Sequence, residues 1–152
     1  MATALRTALW LLLGGWLGSF GLFGLVIARV AFQVLPSTEL AGRIVAPVLT
    51  ALHLYGAVAG AALAGLAYVL GRGGLRLALP LVLAAACLFS HFVISAEISE
   101  IRDLVFGPEG SEALAARWGR LHGLSMGIYL AVSAGVVWLV ALHARSDTPN
   151  EG

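Results

Sequence analysis

Residues 44–71, IVAPVLTALHLYGAVAGAALAGLAYVLG, run for 28 positions without a charged side chain. A helix crosses the hydrocarbon core of a bilayer in about 20 residues, so this run can span a membrane with turns to spare. Gly56, Gly60 and Ala64 recur within it at every fourth position. Small residues at that spacing line one helix face and let a neighbouring backbone approach closely, which is how helices hold together in lipid. Outward from this stretch, three more charge-free windows cover residues 7–28, 77–96 and 121–144, of 22, 20 and 24 positions. A chain of 152 residues that is 60% apolar, with a mean hydropathy of +0.95, lies outside soluble usage. These windows predict a single all-α domain, a four-span transmembrane helix bundle with antiparallel up-down connectivity and spans near 8–35, 45–70, 77–100 and 118–143.

The connections support that order. Pro36 ends the first span, and Ser37-Thr38-Glu39 offers cap chemistry for a short interfacial turn. The segment Gly71-Arg72-Gly73-Gly74-Leu75-Arg76 is a tight, glycine-rich link, with Pro80 expected in the first turn of the third span. A longer loop over residues 103–116 leads to Ser111 and Glu112, which read as the cap of the last helix; residues 146–152 form a frayed tail. The run after Arg6 is too long for a signal-peptide core and carries no small-x-small cleavage site, so it reads as a retained span. The one cysteine, Cys87, leaves no intrachain disulfide and reads as packing.

A net charge of +1, with nine basic residues that are all arginine, is too sparse a field for nucleic acid. The sequence has no P-loop, nucleophile elbow or carboxylate pair with a credible base, so catalytic residues are not expected and the chain reads as non-enzymatic. The polar residues inside or beside the spans gather on the side of the two longer loops. Arg29, Glu97, Glu100, Arg102, Arg120 and Ser125 form this cluster, with Arg102 and Arg120 placed to pair with acidic neighbours. At 1.5 Å per residue, Arg29 falls about 9 Å from that side, His53 about 12 Å and His91 about 15 Å, with Glu97 and His122 within about 6 Å. His143, at the opposite end, reads as interfacial. Trp118, His122, Ser125 and Tyr129 follow a helical rhythm along the fourth span.

The function expected first is a helix-packing and interaction bundle, a homo-oligomer or a partner of another membrane protein, held by glycine stripes at Gly14/Gly18/Gly21/Gly24, Gly56/Gly60 and Gly119/Gly123/Gly127. A second reading has His53 and His91, with His122, as ligands of haem or copper, because imidazole suits both and bundle cores are where such sites are built. A third is a proton, small-ion or solute path through Glu97, His91 and Arg29. Arginine counts of four against five on the two sides leave the positive-inside rule undecided. The expected setting is a bacterial inner membrane with both termini in the cytoplasm.

Several of these stretches resemble a known family. Trp16-Leu17-Gly18-Ser19, residues 32–36 followed by Ala41-Gly42-Arg43, Ser95-Ala96-Glu97-Ile98 with Arg102, and above all Arg120-Leu121-His122-Gly123-Leu124-Ser125 resemble the transmembrane protein 205-like family. The resemblance runs from Ala8 to Ala144 and implies a small four-helix integral membrane protein; it assigns no reaction. A more distant similarity is to four-helix copper-resistance and haem-linked membrane proteins, which implies a histidine ahead of the Trp-x-Gly of the first span. Here Leu9-Trp10-Leu11-Leu12 stand in that region instead.

Overall fold

The computed structural model describes residues 1–108 and 110–147. Among them are four helices long and apolar enough to cross a membrane: α1 (Ala2–Val34), α2 (Thr38–Val69), α3 (Leu75–Phe106) and α4 (Glu112–Asp147). There is no strand among the described residues, and the all-α four-helix architecture is as the charge-free windows require. Each helix is longer than its window because charged residues continue it past the apolar segment, at both ends in α1, α3 and α4 and at the N-terminal end alone in α2, which stops at Val69 inside its window. The loop expected over residues 103–116 shrinks accordingly, since α3 runs to Phe106 and α4 starts at Glu112. The expected tail is helical through Asp147, and its remainder lies outside the described residues.

Local chemistry sets the helix ends. Leu35 is extended (φ −81°, ψ 145°), as the residue before a proline prefers, and this stops α1. Ser37 takes an extended conformation and its hydroxyl accepts the Leu40 N–H at 3.2 Å, with Glu39 in the first turn. The cap therefore belongs to α2 itself, and the separate interfacial turn expected there is absent. At the other end of α2, the Arg72 N–H donates to the Ala67 carbonyl at 2.8 Å and the Gly71 N–H to Tyr68 at 3.0 Å, with Gly71 at φ +69°. This double closure needs a left-handed residue, which glycine supplies without a Cβ clash. Gly74, at φ +64°, then caps α3, so Pro80 falls in the second turn rather than the first.

In sequence order the four helices form a closed ring, with α1 against α2 and α4, and α3 against α2 and α4. The two halves of that ring differ. Toward the chain termini the bundle is tightly packed: Leu9, Leu13, Trp16 and Phe20 of α1 meet Leu63, Leu83, Val136 and Leu139. The closest approach is between α2 and α3. A Cβ on Gly60 would lie 2.5 Å from the Pro80 carbonyl oxygen and 2.9 Å from the Ala84 Cβ, and one on Gly56 would lie 2.8 Å from the Cys87 Sγ. The small residues of 44–71 thus do what their spacing predicted.

The glycines of α4 do not. Gly119, Gly123 and Gly127 have nothing within 4 Å of a built Cβ and point away from the bundle, as do Gly14 and Gly18 of α1; Gly21 is likewise unopposed but faces open space between the helices. Their expected packing, within one chain or between copies, is not met within one chain: these faces are free on the single bundle. Large apolar side chains also face outward, among them Leu25, Val58, Val82 and Trp138. Exposed apolar surface on every helix is what lipid, rather than water, would cover.

Candidate functional site

Two of the four helices widen near mid-height. Phe23–Ile27 in α1 and Ser90–Ser95 in α3 are single π-helical turns, a feature that breaks the regular hydrogen-bond ladder and recurs at functional sites. Neither turn needs a proline. At the first, the Tyr129 hydroxyl of α4 donates to the Phe20 carbonyl one turn earlier. Tyr129 also stacks on Phe20 with ring centroids 5.4 Å apart and meets Phe23 edge-on at 5.7 Å. Gly24 makes this possible, since a Cβ there would lie 2.4 Å from the tyrosine oxygen. This aromatic group ties α1 to α4 and forms a floor.

Above the floor, α1 and α4 part. The last turns of α1, from Ala28 to Val34, pack on α2 and no longer lie along α4. The separation leaves a recess of about 1140 Å³ in the loop-side half of the bundle, lined by all four helices. Along α4 it reaches about 21 Å at helical rise from Ala115 to the Tyr129 floor, and its lining continues past that ring to Val137. Most of its wall is apolar. Polar side chains lie along one face of α3, where His91, Ser95, Ser99 and Arg102 follow one another up the helix, with His122 and Ser125 from α4 and Thr38, Glu39 and Thr50 from α2.

The polar residues predicted from sequence separate into groups. Ser125 is buried and His122 is exposed, stacked on Trp118 with centroids 5.0 Å apart; both line the recess. Arg102 lines its upper part, half-buried, with no hydrogen bond or ion pair among the described residues. Glu97 is bound by Arg117, whose Nε donates to its carboxylate at 3.0 Å. Glu39 and Asp103 are held by Arg43, at 3.0 and 3.5 Å. The acidic partners expected for Arg102 and Arg120 are therefore taken by Arg43 and Arg117, one turn or more away. Arg29, Glu100 and Arg120 are exposed and lie outside the recess.

His53 and His91 are each fifteen residues from the loop-side ends of α2 and α3, by subtraction from Thr38 and Phe106, so they sit at mid-height rather than nearer the loops. They are neighbours close enough to interact electrostatically. His53 is fully buried, and neither of its ring nitrogens has a protein partner; the same holds for the Ser90 hydroxyl and the His91 Nδ1. Such groups are costly to bury unpaired, and their clustering marks the polar centre of the bundle. His122 does not join them. Among the described residues no three of His, Cys, Asp and Glu come close enough to hold a metal ion. His53 also lies outside the recess, with no open ring face onto which a porphyrin could be laid.

A second polar group, unforeseen in the sequence, closes the opposite end. His143, expected at the interface, is fully buried, with its Nδ1 2.9 Å from Arg72 Nη1. A guanidinium can only donate, so this nitrogen accepts and the imidazole is neutral. Arg72 also pairs with Asp147, which accepts the Trp10 indole N–H at 3.1 Å and lies 3.9 Å from Arg6. Arg76 donates to the Leu142 carbonyl at 3.1 Å. Residues from α1, the α2–α3 turn and α4 are thereby fastened together. The i,i+4 placement of His143 and Asp147 on one helix face was the available signal.

Comparison with protein-family models, with curated proteins and with solved structures finds no match to this chain.

Proposed function

We propose that this multi-pass membrane protein is a non-enzymatic binding and interaction bundle whose working surface is the recess in its loop-side half. The observation that carries this reading is the contrast between the two ends: one is packed and clamped, the other held open with polar side chains turned into it. Glu39 on the recess wall and Glu97 outside it are both engaged in ion pairs, so they are not free acid–base groups aimed at a substrate. The volume, about 1140 Å³, slightly exceeds what small-molecule sites hold, about 300–1,000 Å³. Membership of the transmembrane protein 205-like family, a bacterial inner-membrane location and cytoplasmic termini are part of the same proposal. Native mass spectrometry of the purified protein tests the binding role: a retained amphiphile is expected with wild type and not with Ser125→Trp, which sets an indole across the recess. Equal spectra for two equally folded proteins would refute it.

The outward glycine face of α4 favours an additional role for the same bundle, self-association. Gly119, Gly123 and Gly127 leave a shallow groove on the lipid side, the surface by which a second copy could approach closely. Gly123→Leu is expected to shift the protein from oligomer to monomer in light scattering without changing its helicity. An unchanged mass would remove the stripe from consideration.

A further inference from the structure

We infer that the recess holds a long-chain amphiphile with an anionic headgroup, which Arg102 recognises at the loop-side end while the chain extends toward the aromatic floor. The inference rests on the reading of the recess as a binding site and adds the chemical class of its occupant.

Three observations fix that class. The first is shape: from Ala115 down to the Tyr129 floor the recess runs lengthwise for about 21 Å along α4, as an extended acyl or prenyl chain does, and it begins where α1 leaves α4, on the side a lipid would enter from. The second is the distribution of polarity. His91, Ser95, Ser99 and Arg102 make a stripe on α3 with His122 and Ser125 beside it on α4, α2 adds Thr38, Glu39 and Thr50, and the wall from α1, with Leu17, Phe23, Leu25 and Phe32, is wholly apolar, so an occupant meets one side without hydrogen-bonding groups. Sugars and nucleotides, polar all round, would leave groups unpaired against that wall.

The third is charge. Two charged residues line the recess, Glu39 and Arg102. Glu39 is neutralised by Arg43 at 3.0 Å, whereas Arg102 has no partner among the described residues and is half-buried. A guanidinium with five donors and no acceptor, drawn into a low-dielectric recess, is best matched by a phosphate or carboxylate. Arg29 and Arg120 are exposed cations on the same side but outside the recess, and they serve as internal controls. The hydroxyl of Ser99 donates to the Ala96 carbonyl at 2.7 Å, leaving its lone pairs rather than its proton toward the recess. It therefore adds no donor for the headgroup, and the recognition of charge falls to Arg102.

The test uses the full-length protein in detergent, delipidated, with Trp138→Phe to remove the tryptophan that faces lipid; Trp10 and Trp16 stay in the packed half as a constant background, and Trp118 on the recess wall reports. Brominated-chain phosphatidylglycerol and the matching diacylglycerol are titrated and fluorescence quenching is read. Phosphatidylglycerol should saturate at one per chain, about tenfold or more tighter than diacylglycerol, as a charge-assisted hydrogen bond provides. Arg102→Gln should abolish that difference, Arg102→Lys should keep most of it, and Arg29→Gln and Arg120→Gln should leave it intact. Saturable but equal binding of both lipids, or a preference that survives Arg102→Gln, overturns the inference and leaves the binding site standing. A preference lost equally with Arg120→Gln also overturns it. Quenching by neither lipid overturns both the inference and the function on which it rests.

Discussion

Replacing Gly60 by alanine adds one carbon at the tightest point between α2 and α3. The new Cβ would be 2.5 Å from the Pro80 carbonyl oxygen, 2.9 Å from the Ala84 Cβ and 3.2 Å from the Trp16 ring. The first of these atoms is backbone and the third belongs to a fully buried indole, so neither can rotate away. Ordinary contact then requires the two helices to separate by about 1 Å, and overpacking of this kind costs about 1–3 kcal/mol. Gly123→Ala provides the comparison. It meets nothing within 4 Å on the single bundle, so it should be neutral or gain the helix-propensity advantage of alanine, about 0.5–1 kcal/mol. Reversible unfolding in mixed micelles, followed by circular dichroism at low protein concentration, measures both variants. Wild-type stability for Gly60→Ala, or equal loss for the two, would show that the α2–α3 approach does not hold the bundle.

Other substitutions probe the remaining contacts. Tyr129→Phe deletes the hydroxyl that donates to the Phe20 carbonyl and should cost about 1 kcal/mol in the same unfolding assay. Asp147→Ala removes the acceptor shared by Arg72 and the Trp10 indole and leaves a nearly buried guanidinium without its counter-ion, held by the neutral His143 alone, so a loss of about 2 kcal/mol is expected. Glu97→Gln weakens an ion pair whose arginine is half exposed, and its cost should stay within about 1 kcal/mol; thermal melts of the purified protein read this difference.

How much of this was legible in the sequence depends on the length scale of the signal. The four spans followed from charge-free windows, because exclusion of ionic groups from hydrocarbon is a strong constraint that acts residue by residue. Helix lengths did not follow. Arg43, Glu97 and Arg117 continue helices beyond their apolar runs, and depth counted from the edges of those runs placed His53 and His91 too near the loops. The spacing of Gly56 and Gly60 announced a close approach correctly, yet the same spacing at Gly119, Gly123 and Gly127 faces outward, since a stripe specifies contact without naming the partner. The clamp of His143, Arg72 and Asp147 was hidden because its members lie 71 and 75 positions apart in the bonds that matter. The recess itself was out of reach: it arises from two π-helical turns and the divergence of α1 from α4, which leave no mark in composition or periodicity.

Every conclusion here presumes that the chain crosses a bilayer four times, with the clamped end and the open end on opposite faces. Single cysteines at Gly73 and Glu112, both exposed, can be placed in a Cys87→Ala background and treated with a membrane-impermeant maleimide on intact cells and on inverted vesicles. The two sites should label from opposite sides, with Gly73 modified only in inverted vesicles if the termini are cytoplasmic. Labelling of both from one face would contradict the four-span bundle and remove the setting in which the recess has meaning.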